Sequence, residues 1–281
     1  MKKIILAEHA GYCFGVKRAM NMAWNELEEK THNIYALGPL IHNKEAVEKY
    51  ENNGLITVNS IDEIEGDTNE MIIRSHGVSK DVYIEAEKKN IDIIDATCPF
   101  VKKIHNIVKK NYDTGKKIII VGNKDHPEVI GINGWCNNSA IIVKSKKELE
   151  SYHLNNDEKY VLVAQTTINE QDFKDIMDLI EKLHLNIEIE NTICSATRER
   201  QLSARRLSNE VEAMIVVGGK HSSNTQKLAE ICSEKTPTFA VETSKELKDI
   251  PLNEYDVIGI AAGASTPNWI IEDVMEYLKK L

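Results

Sequence analysis

The sequence predicts an α/β protein with mostly parallel sheets, assembled from three copies of one unit. Three observations predict it. Short β-type apolar runs alternate with helical patterns along the whole chain, the signature of parallel strands connected by helical crossovers. Three cysteines, Cys13, Cys98 and Cys194, each stand where such a run turns into a helix. Polar residues recur at similar distances after each cysteine, and self-similarity at a fixed period marks repeated units.

The first block opens with the run Lys3 to Glu8. Past Cys13, a helix from Val16 to Lys30 puts Ala19, Met20, Ala23, Trp24 and Leu27 on one face. The strand Asn33 to Leu37 ends in Gly38-Pro39-Leu40-Ile41-His42, and a helix from Lys44 to Asn52, a short strand from Leu55 to Val58 and an acidic loop follow. The strand Met71 to Ile73 ends in Arg74-Ser75-His76-Gly77; a helix from Lys80 to Lys89 and the strand Ile91 to Asp95 lead into Cys98. Pro99 suits the first helical position, so the Cys98 sulfur is expected at a helix N-terminus, where N–H groups and the dipole favour thiolate.

The second block repeats the first. Lys117 to Val121 ends in Gly122 and His126-Pro127-Glu128; Tyr160 to Ala164 ends in Gln165-Thr166-Thr167; a helix from Glu170 to Leu183 returns to the strand before Cys194. In the third block, Met214 to Val217 ends in Gly218 and Ser222-Ser223-Asn224, and Val257 to Ala261 ends in Ala264-Ser265-Thr266. Its closing helix, Asn268 to Leu281, has no strand after it, and Lys3 to Glu8 is expected to supply the missing one. The expected domains are 13–97, 98–193 and 194–281, the last completed by 1–12.

His42, His126 and Ser222 follow their cysteines at distances equal to within one residue, and His76, Thr166 and Ser265 follow at a longer, looser one. Side chains at the carboxyl ends of parallel strands point into the crevice where α/β folds bind ligands. One cavity lined by three residues per block is the expectation, with Glu128 and Asn224 just past them. Three cysteines without a fourth fit either a zinc with one other ligand or a four-iron cluster with one free iron. Hydroxyls, imidazoles and helix N-termini suit a phosphate or diphosphate. GxxxxGK[ST] and GxGxxG are both absent, so a redox reaction would draw electrons from outside the chain.

Composition narrows the class. The 281 residues are 42% apolar and 28% charged, enough for two or three small cores. Glu8 and His9 end the first apolar run far short of a signal peptide, and no run reaches membrane-spanning length, so a cytoplasmic protein without a membrane partner is expected. Five cysteines at wide spacing argue against a disulfide framework, and a formal charge of −9 argues against nucleic acid.

Ala10-Gly11-Tyr12-Cys13-Phe14-Gly15-Val16, Ser75-His76-Gly77, Asp95-Ala96-Thr97-Cys98-Pro99, His126-Pro127-Glu128, Gln165-Thr166-Thr167, Cys194-Ser195-Ala196-Thr197, Ser222-Ser223-Asn224 and Ala264-Ser265-Thr266-Pro267 closely resemble the LytB/IspH family, the 4-hydroxy-3-methylbut-2-enyl diphosphate reductases. The resemblance runs the length of the chain. It implies a trefoil of three pseudo-threefold-related α/β domains around a central iron–sulfur cluster. It also implies reductive dehydroxylation of (E)-4-hydroxy-3-methylbut-2-enyl diphosphate to isopentenyl and dimethylallyl diphosphates, the last step of the non-mevalonate isoprenoid pathway. On this resemblance Cys13, Cys98 and Cys194 hold one [4Fe–4S] cluster with an open apical iron. His42, His76, His126, Ser222, Ser223, Asn224 and Ser265 bind substrate, mainly its diphosphate; Thr166 sits near its hydroxyl, and Glu128 supplies protons. The implied electron donor is a ferredoxin or flavodoxin. Some members carry an appended RNA-binding-type module, which is not expected here because Leu281 ends the last helix.

Other readings bear on individual residues. Cys136 and Cys232 have no equivalents in the other blocks and read as core or surface residues. His9, His32, His105, His153, His184 and His221 fall outside the aligned ends and are left without a role. Lys17, Arg18, Lys102, Lys103, Arg198 and Arg200 read as first-turn surface charges and as candidates for a donor-docking patch, with neutralisation of Lys102 and Lys103 as its test. A zinc-dependent hydrolase of a phosphorylated metabolite, with Glu128 as base, is the alternative; a non-catalytic iron–sulfur sensor is a third reading.

Overall fold

In a computed structural model of the chain, residues 2–29, 32–65, 69–155 and 157–281 are described. Their strands are β1 (Lys3–Leu6), β2 (Asn33–Leu37), β3 (Leu55–Val58), β4 (Asn69–Ile73), β5 (Ile91–Asp95), β6 (Lys117–Val121), β7 (Ile141–Val143), β8 (Tyr160–Ala164), β9 (Ile187–Ile189), β10 (Ala213–Val217), β11 (Thr238–Val241) and β12 (Val257–Ala262). The helices are α1 (Phe14–Glu29), α2 (Lys44–Glu51), α3 (Lys80–Lys88), α4 (Pro99–Asp113), α5 (Pro127–Gly134), α6 (Lys146–Ser151), α7 (Glu170–Lys182), α8 (Ser195–Ser208), α9 (Ser223–Ser233) and α10 (Asn268–Lys279). The expected helix end at Lys30 and part of the acidic loop lie outside the described residues. Among the described residues no helix is long and apolar enough to cross a membrane.

The strands form three four-stranded sheets, ordered β3-β2-β4-β5, β7-β6-β8-β9 and β1-β12-β10-β11, with every pairing parallel. The α/β class is as the sequence predicts. The strand missing from the third block comes from the N-terminus, where Lys3 lies opposite Val257. Strands buried on both faces read as continuous apolar runs, and alternate residues of those runs feed separate cores. Ile119, Val121, Leu162 and Ala164 pack with Phe173, Ile176 and Leu179 of α7. Ile118, Ile120, Val161 and Val163 face the other way, onto Ile104 and Val108 of α4 and Val129 and Ile132 of α5. In the third sheet Val217, Ile260 and Ala262 meet α10, while Met214, Val216 and Ala261 meet α8 and α9.

The chain divides into two compact units. One comprises Met1–Lys17, Ile41–Tyr50 and Ser195–Leu281; the other comprises Arg18–Leu40 and Glu51–Cys194.

The repeat is visible in the backbone. Each first-strand glycine donates to a valine that ends an edge strand: Gly38 to Val58 (2.7 Å), Gly122 to Val143 (2.8 Å) and Gly218 to Val241 (2.9 Å). A helix then starts at a side-chain cap. Asn43 accepts from Ala46 N–H at 3.0 Å, His126 Nδ1 from Glu128 N–H at 3.2 Å and Ser222 Oγ from Thr225 N–H at 3.4 Å, each satisfying an otherwise orphaned donor of the first turn. The residue equivalent to His126 and Ser222 is therefore Asn43, and His42 stands one position earlier in a longer loop.

Candidate active site

Each of the three repeated cysteines is pinned through its own N–H to the backbone at the end of a neighbouring strand. Cys13 donates to Ala264 O at 3.2 Å, Cys98 to Ser75 O at 3.0 Å and Cys194 to Thr166 O at 3.2 Å. The three acceptors are thus Ser75, Thr166 and Ala264, one place before His76 and Ser265 but coincident with Thr166. None of the three thiols is in a disulfide, and all three are partly exposed. Cys98 caps α4 with Pro99 at the first position, and Val16 N–H points at Cys13 Sγ from 3.5 Å. Such N–H groups stabilise a thiolate. Cys136 and Cys232 are buried. Burial pushes the Cys136 thiol up and the Cys232 thiol to about 12, which keeps both protonated core groups.

Within the unit that holds Arg18–Leu40 and Glu51–Cys194, the predicted residues form one chain of contacts. Cys98 is bonded to Ser75, beside His76. The His76 and His126 rings meet edge to face, with centroids 5.5 Å apart at 78°. His126 Nδ1 accepts the Glu128 N–H, so in neutral His126 the proton resides on Nε2, leaving that nitrogen as a donor. Glu128, in the first turn of α5, is 2% exposed. Its Oε1 accepts Thr166 N–H at 2.6 Å and its Oε2 pairs with Thr166 Oγ1 at 2.7 Å; Thr166 in turn holds Cys194. Burial drives the Glu128 carboxyl up to about 7, against the opposing pull of the two bonds from Thr166. A carboxyl poised near neutrality is suited to giving and taking protons.

The other unit gathers Cys13, His42, Ser222, Ser223, Asn224 and Ser265. Ser265 follows the Cys13 acceptor and its Oγ donates to His42 O at 3.4 Å. Gly219 lies against the same carbonyl so closely that a Cβ there would stand 2.1 Å from the oxygen, a position only glycine fits. Ser222 caps α9, and Asn224, in its first turn, is 3% exposed with neither side-chain Oδ1 nor Nδ2 hydrogen-bonded. A buried amide left unsatisfied at a helix N-terminus is suited to receiving an anion.

Arg200 is not a surface charge: it is buried, and its guanidinium donates to Ala196 O at 2.9 Å and Gly11 O at 2.8 Å, tying α8 to the turn before Cys13. Nothing in the spacing separates such an arginine from a solvated one, because only packing of α8 against that turn makes it internal.

The 4-hydroxy-3-methylbut-2-enyl diphosphate reductase of Clostridioides difficile (strain 630) is 55% identical over 278 residues, covering 99% of each chain. The solved E-1-hydroxy-2-methyl-but-2-enyl-4-diphosphate reductase of Plasmodium falciparum superposes with a TM-score of 0.93 at 28% identity, over 100% of this chain and 88% of that one. A second solved (E)-4-hydroxy-3-methyl-but-2-enyl diphosphate reductase, described as the terminal enzyme of the non-mevalonate pathway, is 40% identical with a TM-score of 0.71 over the whole of both chains. Matched by the LytB protein family model from residue 4 to residue 279, the chain belongs to that family.

Proposed function

We propose that this chain reduces (E)-4-hydroxy-3-methylbut-2-enyl diphosphate to isopentenyl and dimethylallyl diphosphates. The observation that carries the reading is the buried Glu128–Thr166 pair, joined through Thr166 to Cys194 and through His126 to His76. The family's enzymes are iron–sulfur proteins acting on a small diphosphate, which favours the reductase over a zinc hydrolase. Three partly exposed thiols at strand-to-helix junctions suit thiolate ligation, and the two buried cysteines do not. Cys13, Cys98 and Cys194 would therefore hold a [4Fe–4S] cluster, one cysteine at the head of each of three α/β domains, 13–97, 98–193 and 194–281 with 1–12. When bound, the cluster supplies electrons one at a time and a free iron that acts as a Lewis acid. Its electrons come from an external ferredoxin or flavodoxin.

The rest is the work of the chain. The substrate C–O bond breaks, two electrons and two protons enter, and water leaves. One proton goes to the departing oxygen and the other to an allylic carbon, whose choice selects the product. Near pH 7 Glu128 holds a proton it can pass to Thr166 Oγ1 at 2.7 Å, and the threonine hydroxyl then presents its own hydrogen to the leaving oxygen. Ser222, Ser223 and Asn224 at the α9 N-terminus, with His42, His76, His126 and Ser265, bind the diphosphate by donating to its charged oxygens.

The test is iron content and absorbance near ~400 nm after anaerobic purification. Cys13→Ser, Cys98→Ser and Cys194→Ser are each expected to lose the cluster and turnover with reduced donor, while Cys136→Ser and Cys232→Ser keep both. Colourless wild-type protein with stoichiometric zinc would establish the hydrolase instead.

A further inference from the structure

His105 has no place in the scheme above, yet it lies beneath it. It is 1% exposed on α4, the helix that Cys98 caps, and neither ring nitrogen has a hydrogen-bond partner. Leaving buried donors and acceptors unmet is costly, so a side chain held only for packing would be better served by an apolar residue. The ring stacks on Trp135, with centroids 5.2 Å apart at 22°. On its other contact stands Gly77, with φ +71; a Cβ on Gly77 would lie 2.5 Å from His105 Cε1. The Arg74–Gly77 turn, closed by Gly77 N–H to Arg74 O at 3.0 Å, thus rests directly on the imidazole. That turn carries His76 and the Ser75 carbonyl that holds Cys98.

Trp135 joins the same floor to the opposite wall. It ends α5, whose N-cap is His126 and whose first turn holds Glu128, and its Nε1–H donates to Val78 O at 3.0 Å. One end of α5 is therefore fixed to the segment following His76, and the other end presents His126 to His76.

We infer that His105 is a positioning residue: a five-membered ring wedged between Trp135 and Gly77 that sets the separation of His76 and His126, and so the width of the diphosphate subsite they form. Burial keeps the ring neutral, lowering its pKa to about 4 although Asp95 opposes this; the nearby Lys102 charge acts with burial. An imidazole is smaller than a phenyl ring by one ring atom, and the close Gly77 contact has no room for the difference. Truncation lets the turn sink, and enlargement lifts it. Either way His76 loses its geometry toward a charged oxygen, an interaction worth a factor of about ten or more.

The inference rests on the reading of His76 and His126 as diphosphate ligands, and the experiment separates the two. Inorganic diphosphate binding to anaerobically purified holoenzyme is measured by calorimetry for His105→Ala, His105→Phe, His76→Ala and the His105→Ala/His76→Ala double variant. His105→Ala and His105→Phe are each expected to weaken binding about tenfold. Once His76 is gone, His105→Ala should cost less than twofold more, the non-additivity of residues acting through one group. The milder Trp135→Phe, which loses the bond to Val78 O, should weaken binding in the same non-additive way and serves if His105→Ala fails to fold. Additive losses, or a folded His105→Ala protein binding within twofold of wild type, would overturn the inference. If His76→Ala itself leaves binding unchanged, the subsite reading fails; a crystal structure of His105→Ala then decides the inference alone. A His76–His126 separation that has moved from 5.5 Å upholds it, and an unmoved one refutes it.

Discussion

On the proposed function, Glu128 couples proton delivery to burial. Because its carboxyl titrates near 7 in the fold and near 4.5 when unfolded, the native state binds the extra proton across that interval. Stability therefore falls as pH rises from about 4.5 to 7. His105 acts with the opposite sign. Its value drops from 6.5 to about 4, so stability is fully present above 6.5 and is lost as pH falls toward 4. In Glu128→Gln the first slope disappears and the second remains, so stability from urea titrations should rise steadily between pH 4.5 and 6.5. The same substitution keeps the shape and one acceptor but removes the transferable proton. Turnover should fall roughly 10²–10⁴-fold, the usual size of a general-acid contribution, while inorganic diphosphate binding stays near wild type. The wild-type rate should decline above about pH 7 as Glu128 loses its proton; if Glu128→Gln shows the same decline, the titrating acid is another group. The position of Glu128 was legible from its spacing, two residues after a strand-end histidine. Its burial was not, because the enclosing bonds come from Thr166, far away in sequence.

At the scale of elements, the proposed function implies that the α9 N-terminus trades stability for binding. Asn224 is buried with both polar atoms unsatisfied, a deficit of about 1–3 kcal/mol in the free protein. Asn224→Ala removes the deficit together with the ligand group, so its melting temperature should equal or exceed that of wild type while diphosphate affinity falls tenfold or more. A melting temperature several degrees lower, with binding intact, would show that Asn224 serves packing. The central strands and the cysteine-headed helices were legible because β6, β8 and β10 are unbroken apolar runs and Pro99 marks a helix start. The edge strands β7 and β11, three and four residues long, were not: a run that short carries no period, and β3 and β9, equally short, were placed only by their position in the repeat. The one-residue offset at Asn43 also escaped the spacing argument: a cap is defined by which N–H it receives, and a loop one residue longer hides that.

Electron delivery belongs to the scale of the whole molecule. A chain with a formal charge of −9 repels an acidic carrier, so productive encounter needs local positive charge near a cysteine junction. Of the six basic residues that follow the cysteines, several are already engaged. Arg200 is internal, Arg18 donates to Thr97 O at 3.3 Å, and Lys102 pairs with Asp95 at 2.6 Å. Asp95 also accepts the Thr97 N–H at 2.9 Å and the Tyr83 hydroxyl at 3.1 Å, so neutralising Lys102 would disturb the turn before Cys98 as well as the surface charge. Lys103 is exposed, one turn into α4 and close in sequence to the exposed Phe100, and offers charge without a part in that turn. Of Lys102 and Lys103, Lys103 is therefore the one whose charge tests docking. Lys103→Glu should slow cluster reduction by an acidic ferredoxin or flavodoxin several-fold at low salt. The difference should shrink toward none near 1 M, where the Debye length is only about 3 Å. Reduction by dithionite, a small donor that needs no docking surface, should be affected much less at matched ionic strength. Stopped-flow bleaching of the cluster absorbance reads both rates. An equal effect on both donors, or a deficit with the protein donor that salt leaves unchanged, would exclude this face of α4 as the route of entry.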